Sequence, residues 1–406
     1  MKRKIAIAVG VAVVVIAIAF FADSLPSGRP KSPSIDLRSL ISSRPVFPAE
    51  SNGFALLVQA GKLVTVSGSE PVLNDFTNWN EAEAQSLVAS NQAALAALHE
   101  ALALPYLQVD AVTNTGQNFD YFSGWRRLAE LAVAQARLTF NSGQEWQGFC
   151  QAEDVVRFGQ RIEGSGGEKL HYFVGSAIKG LGLYCIGQLA GRSSLTSSNL
   201  VLLANDLTNF EASQDILRDA LKVDYTITAK RFDEINSTIA TGSAFYARLW
   251  YDNDRTKEDL AVQILDTLKA STNHYADGIS CIPVENTNVT IISRLLHGNA
   301  TGAILNDMNL EGFRGTLVVK CRENVSVQST RVLLALRAFQ ITNHRAANSL
   351  QELVPGFLAA VPLDDFDGKP LRYNPALKEV YSVGPDLKDT GGIKSTNARI
   401  IIFHFN

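Results

Sequence analysis

The opening segment of the chain restricts its possible folds more than any other feature. Three cations, Lys2-Arg3-Lys4, precede 18 residues without a charge, from Ile5 to Ala22. As a helix this apolar run is about 27 Å long, which is just enough to cross a bilayer. The positive-inside rule keeps the basic end in the cytoplasm and sends everything after Asp23 across the membrane. Residues 1–22 are therefore predicted to be a single-pass anchor in the cytoplasmic (inner) membrane, with the body in the periplasm.

The same segment also has a feature of a secretory signal that is removed. Ala17-Ile18-Ala19 supplies the small residues of a cleavage site. The apolar run is, however, longer than the roughly 7 to 15 residues of a typical signal core. An uncleaved signal anchor is favoured over a cleaved signal for this reason.

The composition allows a globular body and argues against nucleic acid as a partner. Of the 406 residues, 46% are hydrophobic and 19% are charged, and the formal net charge is -3. At about 100 to 200 residues per domain, two or three packed units fit beyond the anchor. Because Lys and Arg are not in excess, a basic surface for a phosphate backbone is not expected.

Residues 23–50 are predicted to be an extended stalk. The segment combines many prolines with Ser, Arg and Lys, and such a composition cannot bury a core. The prolines are Pro26, Pro30, Pro33, Pro45 and Pro48.

Residues 51–320 are predicted to be a helical body. Apolar residues recur at helical spacing at Trp125, Leu128 and Leu131, Asn141-Ser142-Gly143 interrupts the pattern, and it resumes from Trp146. This order predicts two antiparallel helices. The span from Phe119 to Ala190 resembles helical hairpins of the tetratricopeptide type. The resemblance is based on residues Ala136 to Phe158, which have the alanine, the turn glycine and the second-helix pattern of such a unit. The span lacks the tryptophan, leucine, glycine and tyrosine signature of that family.

Two further segments complete the predicted body. Gly164-Ser165-Gly166-Gly167 is predicted to link the hairpin to a helix from Leu170 to Leu189, whose glycines allow close helix approach. From Asp277 to Arg322 the richer Asn, Thr and Gly content predicts irregular structure with short helices. Cys281 and Cys321 lie there and can form a disulfide in an exported compartment.

The tail, residues 321–406, begins with an amphipathic helix and then changes to short strands. Asp364 to Gly368 are predicted to form a turn and Leu371-Arg372-Tyr373 to begin a strand. Val380 to Val383 alternate as the paired strand, and Ile400 to Phe403 add a third. The expected fold is thus mostly α, with a small α+β tail that carries an antiparallel sheet.

This tail resembles the C-terminal domain of the major pseudopilin of type II secretion. In that family a helix and a Pro-Leu segment precede an acidic, aromatic and glycine turn, a strand, and a tyrosine-serine-x-glycine-x-aspartate loop. A similar tail is found in uncharacterised membrane-anchored proteins of planctomycetes and verrucomicrobia. The likeness covers about 60 residues of the chain. The matching residues are Pro362, Asp364, Asp365, Phe366, Gly368, Pro370, Tyr373, Tyr381, Ser382, Gly384, Asp386, Gly391 and Gly392.

Two departures from the pseudopilin pattern limit what the resemblance implies. The apolar run contains no Glu and begins directly after Lys4, so a prepilin cleavage site and assembly into a pilus are not expected. The resemblance implies a calcium site, with Asp386 and Asp389 as the candidate ligands. The later acidic cluster of the family is replaced by Ser395 to Arg399, which removes the carboxylates that calcium prefers. Turn formation is therefore the favoured role of both aspartates, and no other cofactor is expected.

No catalytic motif is recognisable, and the chain is predicted not to be an enzyme. His99-Glu100 lacks the second histidine of a zinc helix, and Gly164 to Leu170 lacks the spacing and the hydroxyl of a phosphate loop. The alternative is an exported hydrolase that uses carboxylates between Asn286 and Asp307 or in the tail. The favoured function is a structural or interaction protein of the bacterial cell envelope, with the membrane and other envelope proteins as partners. The resemblance implies an association with secretion.

Overall fold

A computed structural model describes residues 36–42, 47–65, 79–109, 119–241, 250–282, 299–393 and 401–404. The predicted anchor and most of the predicted stalk lie outside these ranges. So does most of the loop region that the hydrolase alternative invokes.

The described chain is mostly helical, as predicted. Eleven α-helices lie within these ranges, and we label them in chain order. They are α1 (Phe54–Lys62), α2 (Glu81–Ser90), α3 (Gln92–Ala103), α4 (Tyr121–Asn141), α5 (Glu145–Glu163), α6 (Lys169–Arg192), α7 (Ser197–Asp206), α8 (Gln214–Thr241), α9 (Asn253–Ser271), α10 (Tyr275–Gly278) and α11 (Ala300–Asn343). Short 3-10 turns are Leu37–Leu40, Ala49–Ser51, Leu207–Phe210, Ile279–Cys281 and Leu350–Leu353.

The small sheet of the tail is antiparallel, as predicted. Its strands β1 (Arg372–Asn374), β2 (Glu379–Ser382) and β3 (Ile401–His404) lie in the order β1-β2-β3. Val380 pairs with Tyr373 on one side and with Phe403 on the other. All four residues of β2 are buried, because β2 is the central strand and packs on α11.

The predicted helical hairpin is α4 and α5. Gly143 at the turn has φ of 90°, a conformation that glycine adopts without strain. The second predicted linker, Gly164 to Gly167, joins α5 to α6 and also contains a positive φ, 69° at Gly166. Both breaks are confirmed, since glycine supplies the left-handed backbone that a tight reversal requires.

Helices α5 and α6 approach each other very closely. A Cβ added at Gly159 of α5 would lie 2.4 Å from the Gly175 oxygen and from the Lys179 nitrogen of α6. The prediction that glycines bring helices together is confirmed at Gly175 and Gly182, whereas Gly180 faces open space.

The structure corrects the prediction of irregular structure up to Arg322. Helix α11 has 44 residues and begins at Ala300, so the predicted body-tail boundary at 320/321 falls inside it. Its Phe313, Leu317 and Val327 belong to three different hydrophobic clusters. Because α11 is buried on several sides, tertiary packing stabilises a segment whose Asn and Gly content disfavours a helix.

The disulfide considered between Cys281 and Cys321 is not present. Both cysteines are free, Cys281 is exposed, and Cys321 is buried in the middle of α11. The expectation depended on loop-like sequence around Cys321, and that sequence is helical.

The predicted stalk also requires correction at its end. Leu40 is 2% exposed and packs with Tyr172 of α6, with Leu217 and Leu221 of α8 and with helix α9. The Ser42 backbone N–H donates to the Thr226 hydroxyl of α8 at 3.1 Å. These residues are therefore part of the folded body, since a single leucine among prolines is enough to fill a site between two helices.

One described helix, α6, is long and apolar enough by these two criteria alone to cross a bilayer, and 56% of its most apolar window is buried inside the protein.

Candidate functional site

A cleft of about 490 Å³ lies where the N-terminal segment packs on the helical body. Its described lining residues come from four parts of the chain: Ile41, Ser42 and Phe47, the stretch after α3, the end of α5 with the α5–α6 linker, and the first half of α8. Pockets of about 300 to 1,000 Å³ are typical of small-molecule sites. We therefore take this cleft as the candidate site.

One wall of the cleft is aromatic and apolar. The rings of Phe47 and Tyr106 are stacked, with centroids 3.7 Å apart and planes 8° from parallel. Tyr106 is held in place by its backbone, because its N–H donates to the Ser51 oxygen and its oxygen accepts from Gly53 N–H. Ile41 is 54% exposed and Tyr106 is 40% exposed, so this wall offers apolar surface to a ligand.

The opposite wall is basic. Arg161, near the end of α5, donates to the carbonyl oxygens of Leu102 and Leu104, which closes the end of α3. Burial lowers the pKa of Arg161. Lys222 and Asp219 of α8 also line the cleft, and Asp219 Oδ1 lies 3.7 Å from Arg218 Nε.

The α5–α6 linker forms part of the cleft. Ser165 accepts a backbone hydrogen bond from Val109 N–H at 3.0 Å, which ties the stretch after α3 to the linker. Its side chain is 1% exposed, and its Oγ has no hydrogen-bond partner among the described residues. A buried hydroxyl without a partner costs roughly 1 to 3 kcal/mol in lost hydration, so Ser165 destabilises the linker slightly beside the cleft.

A buried ionic cluster fixes the end of α5 just before this linker. Lys179 Nζ lies 2.6 Å from Glu163 Oε2, contacts Glu323 Oε1 and donates to the Phe210 oxygen at 3.2 Å. The Tyr172 hydroxyl donates to the other Glu323 oxygen at 2.8 Å. The Lys179, Glu163 and Glu323 side chains are each 1% exposed. The cluster joins α5, α6 and α11 and so fixes the end of α5, from which the α5–α6 linker enters the cleft.

This cluster has one more carboxylate than cations. Burial and the neighbouring Glu323 raise the pKa of Glu163 to about 8. Burial opposes the charge of Lys179, but Glu323 and Glu163 outweigh it and raise the Lys179 pKa. We infer that near neutral pH Glu163 holds a proton while Lys179 stays charged.

The two candidate calcium ligands lie in the tail. Asp389 accepts from the Tyr381 hydroxyl at 3.1 Å, from Gly391 N–H at 2.9 Å and from Arg372 Nε at 3.2 Å. The Gly391 N–H lowers the pKa of Asp389, and the other two partners add to this effect. Asp386 lies in the preceding turn, from Gly384 to Leu387. Arg372 also pairs with Asp364 and Asp367, so Asp389 has only a share of the guanidinium charge. Calcium at Asp389 would have to displace the three hydrogen bonds that its carboxylate already accepts.

The other tail acids are tied into the fold as well. Asp364 is fully buried and accepts from Phe366 N–H, Val383 N–H, the Ser382 hydroxyl and Arg372. Burial raises the pKa of Asp364, and these hydrogen bonds offset part of the rise. Asp364 therefore fastens the predicted turn to the sheet.

The neighbouring Asp365 joins the tail to the helical body. Its carboxylate lies 2.9 Å from Lys320 Nζ, accepts from Asn324 Nδ2 at 2.8 Å and lies 3.2 Å from His274 Nδ1. Its backbone oxygen accepts from Tyr275 N–H at 2.9 Å. The two consecutive aspartates therefore have different roles. Asp364 stabilises the turn and sheet within the tail, whereas Asp365 binds the tail to the helical body.

Sequence reasoning found the linker and the tail acids but missed the cleft. Arg161, Lys222 and Tyr106 come from three separate elements, and no short motif connects them. Only the ionic cluster could have been suspected from the sequence, because Lys179 is a single charged residue in the middle of an apolar helix. Among the described residues, no group of three or more His, Cys, Asp or Glu is arranged to hold a metal ion.

A scan against protein-family models and searches of curated proteins and of solved structures gave no match.

Proposed function

We propose that this protein is a membrane-anchored structural or interaction protein of the bacterial cell envelope, with its body outside the cytoplasm and its cleft as the binding site. The basic prefix and the uncharged run of residues 5–22 support the anchor and its orientation. An association with secretion follows from the resemblance of the tail to the pseudopilin domain.

The position of the cleft carries this proposal. Ile41 and Phe47, which line it, follow the proposed anchor closely in sequence. The 13 residues from 23 to 35 reach at most about 45 Å when fully extended. A transmembrane helix at residues 5–22 would therefore hold Asp36, five residues before the lining residue Ile41, within that distance of the membrane surface.

The helical body supports an interaction role on a second ground. Helices α4, α5 and α6 pack as consecutive antiparallel neighbours, and we propose that they form a hairpin arrangement of the tetratricopeptide type. Stacked helical hairpins offer grooves for partners in many binding proteins. Other envelope proteins are the partners that this location makes available.

The proposed orientation can be tested with the natural cysteines. Cys281 is exposed, whereas Cys185 and Cys321 are buried, so a membrane-impermeant maleimide should modify Cys281 on intact spheroplasts. The Cys281→Ser variant should lose most of this labelling, and Cys150, which is half-buried, accounts for the remainder. Alkaline carbonate should leave the protein in the membrane pellet. Labelling only after lysis, or release by carbonate, would contradict the proposal.

A further inference from the structure

The charges around the cleft are unequal. Among the described lining residues, Arg161 and Lys222 are basic and Asp219 is the one acid. Arg218 Nε lies 3.7 Å from Asp219, although Arg218 Nη1 lies closer, at 2.8 Å, to Asp215. Within the described chain, no carboxylate pairs with Arg161 or Lys222 at 4.0 Å or less. The cleft is thus locally positive although the whole chain carries a net charge of -3.

Arg161 is also positioned before any ligand arrives. Its two terminal nitrogens donate to Leu102 and Leu104, which uses only part of the donor set of a guanidinium. A cation that is held rigidly loses little side-chain entropy when it binds an oxyanion. Lys222, which also lines the cleft, has a flexible side chain that ends in a single point charge.

The aromatic wall limits the kind of anion. The stacked pair Phe47 and Tyr106, together with the exposed Ile41, faces the same 490 Å³ as the two cations. A bare inorganic ion would leave this apolar surface in water. A ligand that bears a small apolar group would cover it and gain the burial free energy.

We propose that the cleft binds a small amphiphilic anion, with a carboxylate or phosphate between Arg161 and Lys222 and an apolar group against Phe47, Tyr106 and Ile41. The inference rests on the proposed function only in taking the cleft as a binding site. The volume of about 490 Å³ lies in the range that is typical of small-molecule sites.

Fluorine NMR of the full chain in phosphatidylcholine nanodiscs tests this proposal with three probes. These are 3-(4-fluorophenyl)propionate, 4-fluorophenyl phosphate and the neutral 3-(4-fluorophenyl)propanamide. Both anions should show saturable line broadening, and the amide should bind about tenfold more weakly, the usual effect of losing a charge-assisted hydrogen bond. Comparing the two anions decides between a carboxylate and a phosphate.

Matched variants assign the binding to the cleft. Lys222→Gln should weaken the anions about tenfold and leave the amide unchanged, and Tyr106→Ala should weaken all three probes about fivefold. The controls are Lys230→Gln, also on α8, and Tyr184→Ala, an exposed tyrosine of α6, neither of which lines the cleft. Thermal melting confirms that each variant folds.

Two outcomes would overturn the inference: equal binding of the amide and the anions, or anion binding that survives Lys222→Gln and Tyr106→Ala. Absence of any probe binding at millimolar concentration would overturn it as well. None of these results would change the maleimide or carbonate outcomes, so failure of the inference can be distinguished from failure of the proposed anchor and orientation.

Discussion

At the scale of single residues, the buried cluster around Lys179 contains the strongest electrostatic constraint that we describe. A lysine and two glutamates are expensive to remove from water, and hydrogen bonds from Tyr172 and to the Phe210 oxygen offset only part of that cost. Glu163 Oε1 has no partner among the described residues. Such an oxygen favours the protonated carboxyl, because a buried charge without a partner is far more costly than a buried neutral group.

This protonation predicts how stability depends on pH. The pKa of Glu163 is about 8 in the folded protein against 4.5 ordinarily, so the folded state holds the proton more tightly. Its contribution is complete below pH 4.5 and is lost as the pH rises through 8. Glu163→Gln should therefore flatten the fall in unfolding free energy over this range, and at pH 9 it should be more stable than the parent by up to about 5 kcal/mol.

Urea unfolding from pH 4 to pH 9 provides this measurement. Glu311→Gln, an exposed glutamate on α11, is the matched control and should leave the pH profile unchanged. If Glu163→Gln instead flattened the pH dependence of the unfolding free energy only near pH 4, Glu163 would be ionised in the folded protein.

At the same scale, Asp389 predicts the response of the tail to calcium. Because Arg372, Tyr381 and Gly391 already occupy its carboxylate, adding millimolar calcium should not raise the melting temperature. A reproducible rise that Asp386→Ala abolishes would instead establish a calcium site.

At the scale of elements, the contact between α5 and α6 depends on the absence of a side chain. The atoms that an added Cβ would meet at Gly159 belong to the backbone of α6, so they cannot rotate away. Gly159→Ala should destabilise the protein by about 3 kcal/mol, near the upper end of overpacking effects. Differential scanning calorimetry would measure the loss.

Gly180→Ala is the matched control for that substitution. It lies in α6 itself, and nothing is within 4 Å of an added Cβ. Alanine has the higher helix propensity, so this variant should be more stable by up to about 1 kcal/mol. Equal effects of the two alanines would mean that α5 and α6 do not meet as we describe.

At the scale of the whole molecule, α11 connects the parts of the described chain. It contributes to three hydrophobic clusters, and the tail docks on it through Asp365. Body and tail should accordingly unfold together. In hydrogen exchange, amides of β2 and of α6 should show similar opening free energies.

Asp365→Ala should uncouple the unfolding of the tail from that of the body. The change leaves Lys320, whose side chain is 7% exposed, without its carboxylate, and the loss of one partner of a buried pair costs about 3 kcal/mol. Exchange should accelerate in β2 far more than in α4. Uniform acceleration across both elements would show that the tail does not open separately even then.

Local patterns in the sequence determined the helical hairpin, its glycine turns and the strands of the tail. Each of these depends on neighbouring residues: Gly143 and Gly166 supply positive φ, and the predicted strand at Val380 coincides with β2, although all of β2 is buried rather than alternate residues. The orientation proposed for the anchor also depends on adjacent residues, Lys2 to Ala22.

Tertiary structure alone decided the long helix α11, the packing of Leu40 and the cleft. In α11, burial on several sides outweighs the unfavourable propensity of Asn and Gly, and a sequence window cannot register partners from α6, α9 and the tail. Arg161 and Lys222 line the same cleft because α5 and α8 contact each other, although the two residues are about 60 positions apart in the chain. Long-range contacts of this kind have no local signature, since they depend on how whole elements pack.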